Sequence, residues 1–125
     1  MSKGIFMFFL CSFLAFGCKD ENKKPGLFIA RKVINLNEIK FDSTYTISYS
    51  LVNTGNKALL IDTASSSCDC TVPVIDKKSV LPGDSTFLTV MYKPVDTGFF
   101  NKKVVIKSNI DSVFSVVSFT GKAVK

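Results

Sequence analysis

Cys68 and Cys70 stand one residue apart in Ser65-Ser66-Ser67-Cys68-Asp69-Cys70-Thr71, the one local cluster in this 125-residue sequence suited to redox or metal chemistry. On an extended strand, residues two apart face the same side with Cα atoms about 6.6 Å apart, near the upper limit for a disulfide. Three states are open to the pair: buried free thiols acting as small hydrophobes, a disulfide formed in an oxidising compartment, or a two-thiolate site for a soft ion such as Cu(I). A tetrahedral zinc centre needs four ligands, and the sequence offers no histidine to complete one. Asp69, set between the thiols, opposes thiolate formation by like-charge repulsion, so a catalytic thiol is not expected.

The absence of histidine excludes Ser-His and Cys-His nucleophile pairs and a histidine general base near neutral pH. No pair of acidic residues is marked out by spacing or by an apolar setting that would shift a pKa. No catalytic residue and no cofactor site is therefore expected, and the chain reads as a non-enzyme. The formal net charge is +6, from sixteen basic and ten acidic residues. The lysines (Lys57, Lys77, Lys78, Lys93, Lys102, Lys103, Lys107, Lys122, Lys125) are scattered. That pattern fits a solvated surface with some attraction to anionic headgroups, and no nucleic-acid partner is expected.

Cys18 is a residue of a different kind. Lys3 precedes the apolar run Ile5 to Phe16, and small Gly17 stands before Cys18. This is a signal-peptide layout, and the run is shorter than the 20 or so apolar residues of a spanning helix. Leu14-Ala15-Phe16-Gly17-Cys18 resembles a relaxed lipobox of bacterial lipoproteins. That resemblance implies removal of residues 1–17 and acylation of Cys18, with residues 18–26 as a polar tether. Lys19-Asp20-Glu21 resembles the short signal that follows the acylated cysteine in surface-displayed lipoproteins. The expected location is the cell envelope, as an outer-membrane lipoprotein facing either the periplasm or the cell surface, held to the membrane by lipid on Cys18.

The elements that must position Cys68 and Cys70 are strands. From Leu27 onward apolar residues recur with period two, and Tyr45, Ile47, Tyr49 and Leu51 alternate with Thr46, Ser48 and Ser50. Turn chemistry at Asn53-Thr54-Gly55-Asn56, Leu81-Pro82-Gly83-Asp84, Pro94 to Gly98 and Asn109-Ile110-Asp111 separates the runs. The strands expected are Leu27–Leu36, Thr44–Val52, Lys57–Thr63, Cys70–Ile75, Ser85–Lys93, Phe99–Ser108 and Ser112–Thr120. About seven strands at this spacing predict one all-β domain over residues 27–125, an antiparallel immunoglobulin-like β-sandwich, with a closed barrel as the alternative. The expected core is Ile47, Tyr49, Leu51, Leu59, Ile61, Leu88, Val90, Val104, Ile106, Val117 and Phe119. In Phe99-Phe100, adjacent strand residues point to opposite faces, which predicts one exposed ring.

Several motifs in order (Asn53-x-Gly55, Leu59-x-Ile61, Ser67-Cys68-Asp69-Cys70-Thr71, Leu81-Pro82-Gly83-Asp84, Val90-x-Tyr92-x-Pro94, Gly98, Ser108-Asn109, Gly121) resemble the bacterial family called domain of unknown function 1573. The resemblance covers about Asn35 to Lys125, and Asp69 stands where the family has glycine. It implies an immunoglobulin-like fold related to the sandwich domains of ciliary and centrosomal proteins and of pilus chaperones, with no established activity. The function expected is a lipid-anchored, non-catalytic interaction or scaffold module for a partner protein or envelope polymer. The alternative is a redox-active or Cu(I)-binding protein using Cys68 and Cys70.

Overall fold

The structure, a computed structural model, describes residues 22–112 and 114–125. The expected signal segment and the acylation site Cys18 lie outside the described residues. Eight strands follow in order: β1 (Val33–Lys40), β2 (Tyr45–Val52), β3 (Leu59–Ser66), β4 (Thr71–Ile75), β5 (Ser79–Val80), β6 (Ser85–Tyr92), β7 (Gly98–Ser108) and β8 (Phe114–Val124). They form a five-stranded sheet, β1-β8-β7-β3-β5, packed on a three-stranded sheet, β2-β6-β4. This is the predicted sandwich. No helix among the described residues is long and apolar enough to cross a membrane.

The alternation of apolar and polar side chains builds both sheets. All eleven expected core residues are buried, joined by Ile29, Ile39, Val80, Tyr92 and Ala123. Each fully buried aliphatic or aromatic side chain contributes about 1.5–3 kcal/mol relative to exposure. At one end of the core Tyr92 packs against Phe100 and Phe119, each with ring centroids 4.9 Å away. Phe99 is 87% exposed while Phe100 packs on the core, so the pair divides between the faces as expected.

Two expectations for the first strand are corrected. A single run over Leu27–Leu36 does not form, because Phe28 bridges Val52 at the edge of the three-stranded sheet and the chain then crosses to the other sheet as β1. There β1 pairs with β8 in parallel, so the five-stranded sheet is not wholly antiparallel. The two strands run the same way, from Val33 beside Ser118 to Lys40 beside Val124. A bulge between Asn35 and Glu38 interrupts the pairing. Asn37 has φ 58° there, held by an N–H donated to Asn35 Oδ1 at 2.9 Å.

Asn53 ties three separate segments at one end. Its side chain is fully buried. Oδ1 accepts the N–H groups of Gly26 at 3.2 Å and Gly55 at 2.9 Å. Nδ2 donates to the carbonyls of Lys57 at 2.8 Å and Val80 at 2.9 Å. Every hydrogen-bonding site on this buried amide is thus used. Lys24 adds two bonds to Asn56, so Lys24–Gly26 lies directly against the β2–β3 turn. The approach needs glycine: a Cβ on Gly55 would run into the Lys24 carbonyl and the Gly26 amide.

Candidate functional site

Between β3 and β4 the chain must pass from one sheet to the other, and it does so through the cysteine motif. The Thr71 N–H donates to the Cys68 carbonyl at 3.1 Å, closing a β-turn with Asp69 and Cys70 at its centre. The turn contracts the Cα separation of Cys68 and Cys70 to 5.2 Å, and the two sulfurs are bonded. The separation expected of an extended pair does not apply, because β4 begins at Thr71 rather than at Cys70. In this bridged state neither sulfur is a free thiol, and neither offers a thiolate to copper. Among the described residues, no cluster of three or more Cys, Asp or Glu side chains is placed to hold a metal ion. Asp69 causes no backbone conflict, since Asn37 is the one non-glycine with positive φ among the described residues.

Polar contacts around the bridge are unequal. Cys68 Sγ accepts the Cys70 N–H at 3.3 Å, and Cys70 Sγ accepts from the Thr71 hydroxyl at the longer distance of 3.6 Å. Both cysteines are half-buried. Cys70 lines an open groove of about 570 Å³ together with Val72, Met91, Lys93 and Val95. Closing a ring of only three residues constrains the unfolded chain weakly, by about 1.5 kcal/mol in the chain-entropy account. The bridge therefore shapes a turn and does not staple distant strands.

The groove is one end of a larger apolar surface. No residue of β2, β4 or β6 carries a charge. On the outer face of these strands Val72 lies opposite Met91, and Val74 opposite Thr89, with Phe87 further along β6. Val72, Val74, Phe87 and Met91 are each between 42% and 49% exposed. The five-stranded sheet differs, because its strands carry Glu38, Lys40, Asp62, Lys102, Lys103, Lys107 and Lys122. Lys122 Nζ lies 5.3 Å from the centroid of Phe99. No motif announces the uncharged face. Its signal was present, in the apolar or hydroxyl residues at every outward position of three strands.

The two edges of the three-stranded sheet are also unlike. On β4 the Asp76 N–H donates to Phe87 and the Cys70 carbonyl accepts from Lys93, both at 3.0 Å, so even-numbered residues turn their backbone groups toward β6. Thr71, Pro73 and Ile75 turn theirs to the open edge. Thr71 spends its N–H on the cysteine turn, and Pro73 has none to offer. On β2, Val52 exchanges both backbone bonds with Phe28. Ser50, Ser48 and Thr46 point their backbone groups the same way and meet no backbone partner among the described residues.

Comparison with known proteins agrees with this architecture. No curated protein matches the chain in sequence. Among solved structures, a protein of unknown function from Porphyromonas gingivalis W83 aligns with a TM-score of 0.73 and 13% identity, over 80% of this chain and 47% of that one. The ASH/PapD-like domain 7 of human CEP192 aligns with a TM-score of 0.65 and 10% identity, over 82% and 87%. The secreted serine protease VesC from Vibrio cholerae aligns with a TM-score of 0.59 and 14% identity, over 83% and 24%. This chain thus spans about half of the Porphyromonas chain and a quarter of the protease. At such identities the likeness is one of fold, an immunoglobulin-like β-sandwich. Residues 27–123 match the family of proteins of unknown function DUF1573, and with a match over most of its length this chain belongs to that family.

Proposed function

We propose that this protein is an exported, lipid-anchored interaction module that presents the uncharged face of its three-stranded sheet to a partner protein in the cell envelope. The observation that carries the reading is the contrast between the two sheets. One outer face is strewn with charge, while the other carries Val72, Val74, Phe87 and Met91 with no charged residue on its strands. Depletion of charge at the centre of a patch is the compositional mark of a protein interface, and a polar polysaccharide would have little to bury there. The open β2 edge borders the same face and suits a partner that adds a strand.

The anchor explains the orientation. With acyl chains on Cys18 and Lys24–Gly26 hydrogen-bonded against the β2–β3 turn, the six-residue span from Cys18 to Lys24 reaches at most about 20 Å. The end carrying Asn53 then stands near the membrane. The eight residues of β6 run from beside Val52, at the Asn53 end, to Tyr92 beside Thr71 and span about 27 Å, so the cysteine turn stands at the other end of that sheet, away from the headgroups.

A photo-crosslinking residue in place of Met91, compared with one in place of Leu60 on the other sheet, tests the reading in intact cells. Both positions are exposed to a similar degree. The expected result is a discrete protein adduct from position 91 that position 60 does not give. It should be lost in Cys18→Ala, which should also leave the membrane fraction. No adduct at 91, or equal adducts at both positions, overturns the proposal.

A further inference from the structure

We infer that the Cys68–Cys70 bridge is an exchangeable disulfide, attacked at Cys70 Sγ by a thiolate of a dithiol-bearing protein, with Cys68 as the departing sulfur. Three observations converge on this. The bridge closes a turn of three residues and ties no strand to another. The turn is also closed by the Thr71 N–H donated to the Cys68 carbonyl at 3.1 Å, a bond in which neither sulfur takes part. The third observation is the inequality of the two sulfurs. Cys68 Sγ accepts the backbone N–H of Cys70 at 3.3 Å, a donor fixed by the turn itself for an electron pair arriving on that sulfur. The donor to Cys70 Sγ is the rotatable Thr71 hydroxyl, at the longer distance of 3.6 Å. Cys70 instead lines the open groove, where a nucleophile can approach.

The exchange balances in two steps. A partner thiolate forms a bond to Cys70 Sγ as the bridge breaks, and the electron pair leaves on Cys68 Sγ, which takes a proton from water. The partner's second thiol, deprotonated to water, then attacks the partner sulfur of the mixed disulfide and releases the Cys70 thiolate, which is protonated in turn. The partner dithiol is oxidised by two electrons to a disulfide, and the bridge is reduced to two thiols. Lys93 and Asp69 both line the groove, so the attacking anion meets no net negative charge there. The inference rests on the proposed orientation only for access in the cell, where the cysteine turn is the end held away from the membrane.

The chemistry is tested on the full chain in detergent, apart from any partner. The oxidised protein is mixed with excess reduced glutathione, quenched in acid, and the peptide holding both cysteines is fragmented to locate the adduct. Glutathione on Cys70 should exceed that on Cys68 by about tenfold, as follows when one leaving thiolate is the better stabilised. In Cys68→Ser, oxidised glutathione should load Cys70 and the adduct should persist, because no neighbouring thiol can expel it. Equal adducts, or an excess on Cys68, overturn the assignment. A bridge that resists glutathione in the folded chain while the urea-unfolded chain reacts overturns exchange altogether. Failure of the crosslinking test above leaves this outcome unaffected, so the two readings fail separately.

Discussion

Tyr49 on β2 donates its phenolic hydrogen to the backbone carbonyl of Ser118 on β8 at 2.7 Å, a bond that runs across the core from one sheet to the other. Tyr49 is otherwise enclosed, with 1% of its surface exposed. Sheets packed face to face meet chiefly through non-directional apolar contact. A polar bond between them fixes how one sheet sits on the other.

Burial pushes the Tyr49 phenol from its ordinary 10.0 up to about 12, and desolvation raises Tyr92 as well. Between those values the unfolded chain has released the Tyr49 proton and the folded chain still holds it. The stability tied to this group is complete below pH 10 and is lost as the pH rises from 10 toward 12. Urea midpoints should therefore fall over that window. Tyr49→Phe should cost about 1 kcal/mol at pH 7 and flatten the alkaline decline, leaving the smaller part due to Tyr92. An alkaline slope equal in variant and wild type would contradict the assignment.

Removing the Asn53 side chain leaves two N–H groups and two carbonyls short of a partner. Asn53→Ala should lower the unfolding free energy by about 3–4 kcal/mol. Amide exchange at Gly26 and Gly55 should accelerate, since both donate to the missing oxygen. Asn53→Asp should not rescue the loss, because it keeps the acceptor but sets a second carboxylate oxygen against the carbonyls of Lys57 and Val80. Full stability in the Asp variant would show that the two donated bonds contribute little.

These two residues mark how far the sequence could be read. Tyr49 was legible as core because Tyr45, Ile47, Tyr49 and Leu51 alternate with hydroxyl residues, a period that any face of a sheet imposes. Its bond to Ser118 was not, since the partner lies 69 residues away and depends on how the sheets meet. Asn53 read only as a turn residue, because Gly26 and Val80 each stand 27 residues from it. Tyr92 and Ala123 escaped the expected core for a local reason. Tyr92 continues the alternation of Leu88 and Val90 but stands last before the turn at Pro94, and Ala123 lies beyond Thr120, where the last expected strand stops short of the end of β8. The cysteine spacing was legible as a possible bridge, but the turn that brings the pair together depends on the crossing from β3 to β4, which no periodicity announces.

Reduction of the Cys68–Cys70 bridge should leave the fold intact. The three-residue ring predicts a loss of about 1.5 kcal/mol, well below that of a disulfide joining distant strands. Far-ultraviolet circular dichroism should be unchanged after reduction, and the urea midpoint should drop only slightly. Cys68→Ser should match the reduced wild type. Cooperative unfolding on reduction would mean that the bridge holds more than its own turn.

Pro73 guards one edge of the three-stranded sheet. Of the three β4 residues whose backbone faces that edge, Thr71 has spent its N–H on the cysteine turn and Pro73 carries none. A strand from another molecule would find Ile75 as the one free donor, too few for a ladder. Pro73→Val restores a donor at the middle of the strand and adds β propensity at a half-buried site. The substitution should leave the monomer at least as stable, while sedimentation shows concentration-dependent association that the wild type lacks over the same range. The side chains opposite and beside this position, Val90 and Val72, are unaltered, so any new association reports on the edge rather than on a changed face. If the variant sediments as the wild type does, the edge is protected by something other than the missing N–H, and the twist of so short a strand becomes the better explanation.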